Sequence, residues 1–489
     1  MSYHCGRFRG ASTTRRDMLK TCGMGFGVSA LSALLQKKSF AGLDSSGKDR
    51  HSAFDPLKPR RPHFQPRAKS VIFLYMDGGV SHVDSFDPKP MLNKHNGQDP
   101  RKLMKVQPTQ FNNIGKVLAS PWQFKNYGKS GLPVSDLFPN VGAHADDLCV
   151  IRSMTSKFSE HTNANYFLHT GSGLQGRPSM GAWAGYGLGS FNQNLPGFVV
   201  INGGLIPPGG LDNFNAGFLP AAYQGSVFKA ANPPVSNVVR SDRSDAIQQA
   251  KLGLMRKLDA QNLERAGEHD ALESAISNHE LAYRMQIEVP ELMDLSDEPE
   301  YLKEAYGFNH SWNGTKTFAR SCLTARRLVE RGVRFVQIFH GGAGNQNTDT
   351  WDAHSNLVEN HSQHAAESDL PIAGLLADLK SRGLLDSTLI VWHGEFGRMP
   401  ISQRGVGRDH NPGTMTAWMA GAGIQGGQKI GASDEFGYKA EQQPVSAHDL
   451  HATMLNLLGL DHDRLRYRYS GRDWQLTDID GKPIPQIIG

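Results

Sequence analysis

The stretch Val71-Ile72-Phe73-Leu74-Tyr75-Met76 is apolar without interruption and stops at Asp77-Gly78-Gly79. A strand with one wet face would alternate, so this run reads as a strand buried on both faces of a parallel sheet. Comparable runs follow at Leu148–Ile151, Phe198–Ile201, Val333–Phe339, Thr388–Trp392 and Met415–Ala420. Helical patterns precede two of them: TFARSCLTARRLVERG (317–332) before Val333, and IAGLLADLKSRGLL (372–385) before Thr388. In the second, Ile372, Leu375, Leu376 and Leu379 share one helix face, and Gly383 supplies a stop. Repeated helix–strand alternation predicts an α/β fold with a doubly wound, mostly parallel central sheet flanked by helices.

The 489 residues are 38% hydrophobic and 20% charged, which excludes a disordered chain. The net charge of +5 is uneven. Residues 1–41 hold seven Lys/Arg against Asp17, leaving residues 42–489 at −1, so no nucleic-acid partner is expected. In the leader, Thr13-Thr14-Arg15-Arg16-Asp17-Met18-Leu19-Lys20 precedes the weakly apolar CGMGFGVSALSALL and then Ser39-Phe40-Ala41. That order resembles a twin-arginine export signal cleaved after Ala41, with the twin-arginine export machinery as partner and the periplasm or exterior as destination. A plain basic arm is the alternative. The apolar run is too short to span a bilayer, and no later segment reaches about 18 apolar residues, so stable membrane insertion is not expected. Residues 42–69 read as an extended linker and 70–489 as the domain. Within it, a Gly/Pro-rich excursion (203–232) and a polar helical stretch broken near Pro290 (241–306) form an insertion. Of four cysteines, Cys5 and Cys22 lie in the leader, while Cys149 and Cys322 read as buried thiols.

In open α/β sheets ligands bind beyond the carboxyl ends of the strands, and acids and imidazoles gather there. Asp77 follows the first strand, and His340 ends QIFHGG. Trp351-Asp352-Ala353-His354 follows shortly after, His393 and Glu395 lie in WHGEFGR, and Arg408-Asp409-His410 in GRDHNP. Such a mixed N/O set suits one or two divalent cations, such as zinc, manganese or calcium. Taken singly, each has a bland reading. Asp77 is a turn residue, WDAH a capped helix start, GRDH a loop ion pair, and Glu395 a partner of Arg398.

Six stretches together (IFLYMDGGVSHVDSFDPKP, ARRLVERGVRFVQIFHGG, WDAH, LADLKSRGLLDSTLIVWHGEFGRMP, GRDHNP and AHDLHATMLNLLGLD) identify residues 70–460 as resembling the family called domain of unknown function 1501, within the alkaline phosphatase/sulfatase superfamily. The resemblance implies a helix-flanked sheet with a two-metal site at its carboxyl edge. By it, Asp77 matches the acidic ligand after the first strand, and Asp352 and His354 match an Asp/His pair. Glu395 stands where an Asp-His pair is usual, and Asp409 and His410 match the late histidine. Asp449 is expected to cap the last helix, with His451 structural. The superfamily's nucleophile opens a helix that ends in Thr-Gly ten residues later. In FSEHTNANYFLHTG that position is His161, with Thr162 next, so either Thr162 attacks after a one-residue shift or His161 binds metal and a metal-bound hydroxide attacks. A merely structural helix start, capped by Ser159 and Thr162, is the third reading. Arg398 or Arg408 would neutralise developing charge. The expected activity is metal-dependent hydrolysis of a phosphate or sulfate ester, an anionic substrate of the size of a polysaccharide or other envelope glycan. A non-catalytic metal-containing envelope protein that binds glycans or partner proteins is the alternative, and phosphate transfer a third.

Overall fold

In a computed structural model of the chain, residues 55–107, 114–230, 233–235, 238, 244–267, 270–342, 349–403 and 405–488 are described. The expected export signal (1–41) and residues 42–54 of the expected linker lie outside them. Residues 55–69 contain neither helix nor strand, yet they are fastened to the body rather than free. Arg60 N–H donates to the Leu188 carbonyl (2.9 Å), and Arg67 and Ala68 N–H donate to Leu457 (2.9 and 2.8 Å).

The first strand, β1 (Ser70–Met76), has all seven residues buried, as its unbroken apolar run requires. The later strands are β2 (Cys149–Thr155), β3 (Phe198–Asn202), β4 (Ser226–Lys229), β5 (Phe335–His340), β6 (Thr388–His393), β7 (Gly397–Gln403), β8 (Gly407–Asn411), β9 (Met415–Gly421), β10 (Gln428–Ile430) and β11 (Val445–Ser446). Among the described residues nine strands form one sheet in the order β10-β2-β9-β6-β1-β5-β3-β4, with β11 also on β2. β9 alone runs antiparallel to its neighbours β6 and β2. All other pairs in this sheet are parallel. The sheet is therefore mostly parallel and covered on both faces. Ile72, Leu74 and Met76 pack in one core with Phe318, Leu323, Leu328, Ile372, Leu375 and Leu379 of the helices Asn313–Glu330 and Leu357–Ser381. On the other face Phe73 and Tyr75 meet His169 of the helix His161–Thr170.

Register aligns the chemistry. Met76 pairs with His340, and Tyr75 with His393, so Asp77, His340 and Glu395 emerge at one carboxyl edge. Three features depart from expectation. The Gly/Pro-rich excursion contributes β4, which extends the sheet beyond β3. The helix Asp270–Met293 runs through Pro290, which lies in its last turn and leaves only three residues of helix beyond it. GRMPISQ, given no element in the sequence reading, and GRDHN, read as a loop, are the two strands of an antiparallel hairpin, β7 and β8. In addition, the helix Ala447–Leu457 is capped by Ser446 rather than by Asp449, which stands three residues in and completes a capping box. Cys149 and Cys322 are buried, free thiols.

Candidate metal centre

Two glycines after β1 let a second loop approach. Gly78 and Gly79 adopt φ of +103° and +76°, and a Cβ on Gly78 would lie 2.5 Å from the Asp352 amide nitrogen. Trp351 N–H donates to the Asp77 carbonyl (2.8 Å), which sets Asp352 beside the end of β1. The hairpin supplies the other wall, since Arg408 N–H donates to the Ala353 carbonyl (2.9 Å).

Within this frame the acids and imidazoles form a chain. Glu395, at the end of β6, accepts hydrogen bonds from Gly78 N–H (3.0 Å), the Tyr75 hydroxyl (2.8 Å) and His161 Nδ1 (2.7 Å). His161 Nε2 stands 3.5 Å from Asp352 Oδ2. Asp352 Oδ1 accepts from Arg398 (2.5 Å) and lies 3.0 Å from His354 Nε2 and 3.3 Å from His410 Nε2. Those two Nε2 atoms are 2.9 Å apart. His410 Nδ1 donates to the Ser159 carbonyl (2.7 Å), and His354 Nδ1 faces the Gln403 amide oxygen. Asp409 lies 3.8 Å from His354 Nδ1 and accepts the His410 amide (2.8 Å). Phe396 stacks on the His410 ring. Asp77 is buried 3.4 Å from the Tyr75 hydroxyl, and its Oδ2 has no hydrogen-bond partner.

Burial lowers the His161 imidazole, but hydrogen bonds and charge from Asp352 and Glu395 outweigh it and raise its pKa to about 10. Burial and the Glu395 charge push Asp77 well above the carboxylate range. Burial also pushes Asp352 upward, yet Arg398 and the three imidazoles hold it far below that range. Two triads have ligand atoms within 4.8 Å of one another: His161/Asp352/His410 and His354/Asp409/His410. Asp77 and Glu395 form the deeper end, joined to these by His161.

Three residues expected to act on substrate sit elsewhere. The Thr162 hydroxyl donates to Glu160 (3.1 Å), and Glu160, not Ser159 or Thr162, caps the helix by accepting the Asn163 N–H. Arg408 is fully buried in a bidentate pair with Asp84 (2.7 and 3.1 Å) and also donates to the Met399 and Leu118 carbonyls. Arg398 is likewise fully buried, and besides Asp352 it donates to the carbonyls of Gly78, Gly79 and Arg408. Both arginines hold backbone carbonyls in place, and Arg398 also holds the Asp352 carboxylate. His451 donates to the Leu168 carbonyl (2.7 Å), as a structural histidine would.

Sequence reading missed Tyr75, hidden in an apolar strand, together with Gln403 and Asp84. It named His340 but missed His364 and Glu367, which form a buried group with it beneath the loop. These atoms lie close enough to hold an ion, but the hydrogen bonding argues otherwise. Trp351 Nε1–H donates to His340 Nδ1 (3.0 Å), whereas a metal-bound imidazole must donate from its second nitrogen. The group instead anchors the loop. His364 Nε2 and Asn360 both donate to the Thr350 carbonyl (2.8 and 2.7 Å). The one sequence signal was the i, i+3 pair His364/Glu367 on a helix.

Fold and site define an α/β protein with a carboxylate–imidazole cluster at the carboxyl edge of a mostly parallel sheet. The chain belongs to the family described as Protein of unknown function (DUF1501), whose model matches residues 68–488. No curated protein sequence matches it. Among solved structures it is similar to the PsFucS1 sulfatase from Pseudoalteromonas sp. (14% identity, 82% of this chain and 68% of that one, TM-score 0.34). It is also similar to a phosphonate monoester hydrolase of Agrobacterium radiobacter (12%, 81% and 74%, 0.35). A TAB5 alkaline phosphatase mutant with Mg bound matches as well (10%, 81% and 99%, 0.34). Likenesses this distant leave the chemistry to the residues of this chain.

Proposed function

We propose that the protein is an exported, metal-dependent hydrolase of phosphate or sulfate esters. The observation that carries the proposal is the convergence of Asp352 Oδ1, His354 Nε2 and His410 Nε2 within 3.3 Å of each other. His410 uses its Nδ1–H on the Ser159 carbonyl and His354 turns Nδ1 to the Gln403 oxygen, so the neutral rings present lone pairs to each other and to a carboxylate. Three acceptors facing one point call for a cation. The unpartnered Asp77 Oδ2 is a fourth such atom nearby.

The donor set fits a divalent ion that accepts mixed nitrogen and oxygen ligands. Asp352, His354, Asp409 and His410 would hold one, and Asp77 and Glu395 would contribute to a second. Such an ion supplies Lewis acidity at an ester oxygen and acidifies bound water. The protein's own residues do the rest. Arg398 and the Gly78-Gly79 turn fix the Asp352 carboxylate. Tyr75 and Gly78 N–H fix Glu395 against His161. His161, held by Glu395 at Nδ1 and with Nε2 3.5 Å from Asp352, is the group placed to protonate the leaving oxygen. Thr162 is hydrogen-bonded to Glu160, so water is the attacking group. Purified protein supplied with zinc or manganese should hydrolyse an aryl phosphate or aryl sulfate, and Asp352→Ala should abolish this. A folded, metal-loaded protein inert to both esters would instead support a non-catalytic, glycan-binding role.

A further inference from the structure

We infer that the loop after β3 is an apolar lip of the metal centre and selects an ester whose alcohol is an alkyl or aryl group rather than a sugar. This names a substrate class for the hydrolase reading and rests on it, but its binding test needs no turnover. The loop begins Gly203-Gly204-Leu205-Ile206-Pro207-Pro208-Gly209-Gly210-Leu211, nine residues without a charge, a hydroxyl, a side-chain amide or an aromatic ring. Ile206 and Leu211 are 38% and 59% exposed, and Pro208 is exposed as well. Single exposed apolar residues are ordinary, so the weight falls on where this run stands.

β3 is parallel to β5, and β5 to β1, so the loop leaves the sheet at the same carboxyl edge as Asp77 and His340. Two anchors hold it against the deeper end of the centre. On one side Gly341 follows β5, and a Cβ there would lie 3.8 Å from the Asp77 Cβ. Its neighbour Gly342 approaches the loop so closely that a Cβ would lie 2.6 Å from the Leu205 amide nitrogen. On the other side Asn165 Nδ2–H donates to the Pro208 carbonyl (3.0 Å). The Oδ1 of Asn165 meets the same Tyr75 hydroxyl that is bonded to Glu395. Asn165 stands one turn beyond His161 on its helix, on the same face. Residues 205–208 are therefore strung between two elements that line Asp77 and Glu395, with Ile206 exposed between the anchors.

The chemistry of the lip selects what lies on it. Pro207 and Pro208 have no N–H to offer. The Pro207 carbonyl accepts Gly210 N–H (2.9 Å), and the Pro208 carbonyl accepts both Asn165 and Asn213 (3.0 and 3.1 Å). The Gly209 carbonyl accepts the Tyr166 hydroxyl (3.2 Å), and that of Gly210 accepts Asn213 (3.2 Å). Recognition of a sugar depends on hydrogen bonds to its hydroxyls, and this stretch has spent its carbonyls and has no polar side chain. What it retains is apolar surface beside a charged centre, which suits an ester with an anionic head and a carbon skeleton behind it.

The test compares zinc-loaded mature protein with its Ile206→Ser/Leu211→Ser variant by calorimetry, using the non-hydrolysable hexylphosphonate and methylphosphonate as probes. The parent should bind hexylphosphonate about tenfold more tightly than methylphosphonate, and the variant should lose that advantage. Methylphosphonate affinity and melting temperature should not change. If the hydrolase reading alone fails, methylphosphonate will bind neither protein, yet the hexyl chain will still favour the parent over the variant. Equal affinities for the two phosphonates in the parent would overturn the inference, as would a hexylphosphonate affinity in the variant within about twofold of the parent's. So would tighter binding of galactose 6-phosphate than of hexylphosphonate. Phosphatidylcholine vesicles that sediment the parent but not the variant would overturn it too, by making the lip a membrane contact.

Discussion

Asp84→Ala should destabilise the protein severely, although Asp84 is not one of the candidate metal-binding groups. Both Arg408 and Asp84 are fully buried, and two of the guanidinium's hydrogen bonds end on that carboxylate. Removing the carboxylate leaves a buried, uncompensated cation, with a cost of about 3–5 kcal/mol. Replacing both partners removes the charge as well, so Arg408→Leu/Asp84→Ala should lose less than the sum of the two single variants by at least ~2 kcal/mol. Urea unfolding followed by the fluorescence of the buried Trp392 and Trp418 measures each corner of the cycle. Burial raises the Asp84 pKa, but Arg408 and Ser81 outweigh it and the folded value is depressed. The pair's contribution is therefore complete above the unfolded carboxyl pKa of about 3.9 and is lost as pH falls through the lower folded value. The gap between wild type and Asp84→Ala should accordingly stay constant above about pH 4 and shrink below it. A loss under about 1 kcal/mol would refute the reasoning. The Arg408 guanidinium would then be solvated and free to meet substrate.

His161→Gln should abolish ester turnover while metal stays bound, whereas Thr162→Ala should retain most activity; loss of turnover in the second variant would restore the hydroxyl as nucleophile. Glu367→Gln should loosen the loop that carries Asp352, lowering metal affinity roughly 10- to 100-fold in a chelator titration; unchanged affinity would detach that anchor from the site. Changing Arg15 and Arg16 to Lys should hold the precursor in the cytoplasm, as read by fractionation and immunoblotting; normal export would return residues 1–41 to a plain basic arm.

How much was legible followed from which side chains advertise their surroundings. β1 could be read because it is buried on both faces, so its burial appears directly as an apolar run. The hairpin of β7 and β8 is just as buried but built from residues such as Arg398, Arg408, Asp409 and His410. Its interior is satisfied by ion pairs and carbonyls rather than apolar contact, and no hydrophobic period marks it. The clustered acids and imidazoles were legible as candidates because each lies near a strand end or in the hairpin that follows β6. Their partners were not. Arg408 looks catalytic until Asp84 is placed beside it from more than 300 positions away. Tyr75 belongs to the apolar run by composition and to the site by its hydroxyl. The choice between His161 and Thr162 turned on the roughly 100° that one helical residue rotates a side chain. In the structure His161 faces Glu395 and Asp352, while the Thr162 hydroxyl donates to Glu160.

The most direct test of the central claim is metal content. Mature protein stripped by chelator, reloaded with zinc or manganese and passed through a desalting column should retain one to two divalent ions per chain by elemental analysis. Asp352→Ala and His410→Ala should each retain fewer while unfolding like the parent. Full stoichiometry in both variants, or no retained metal in the wild type, would contradict the account.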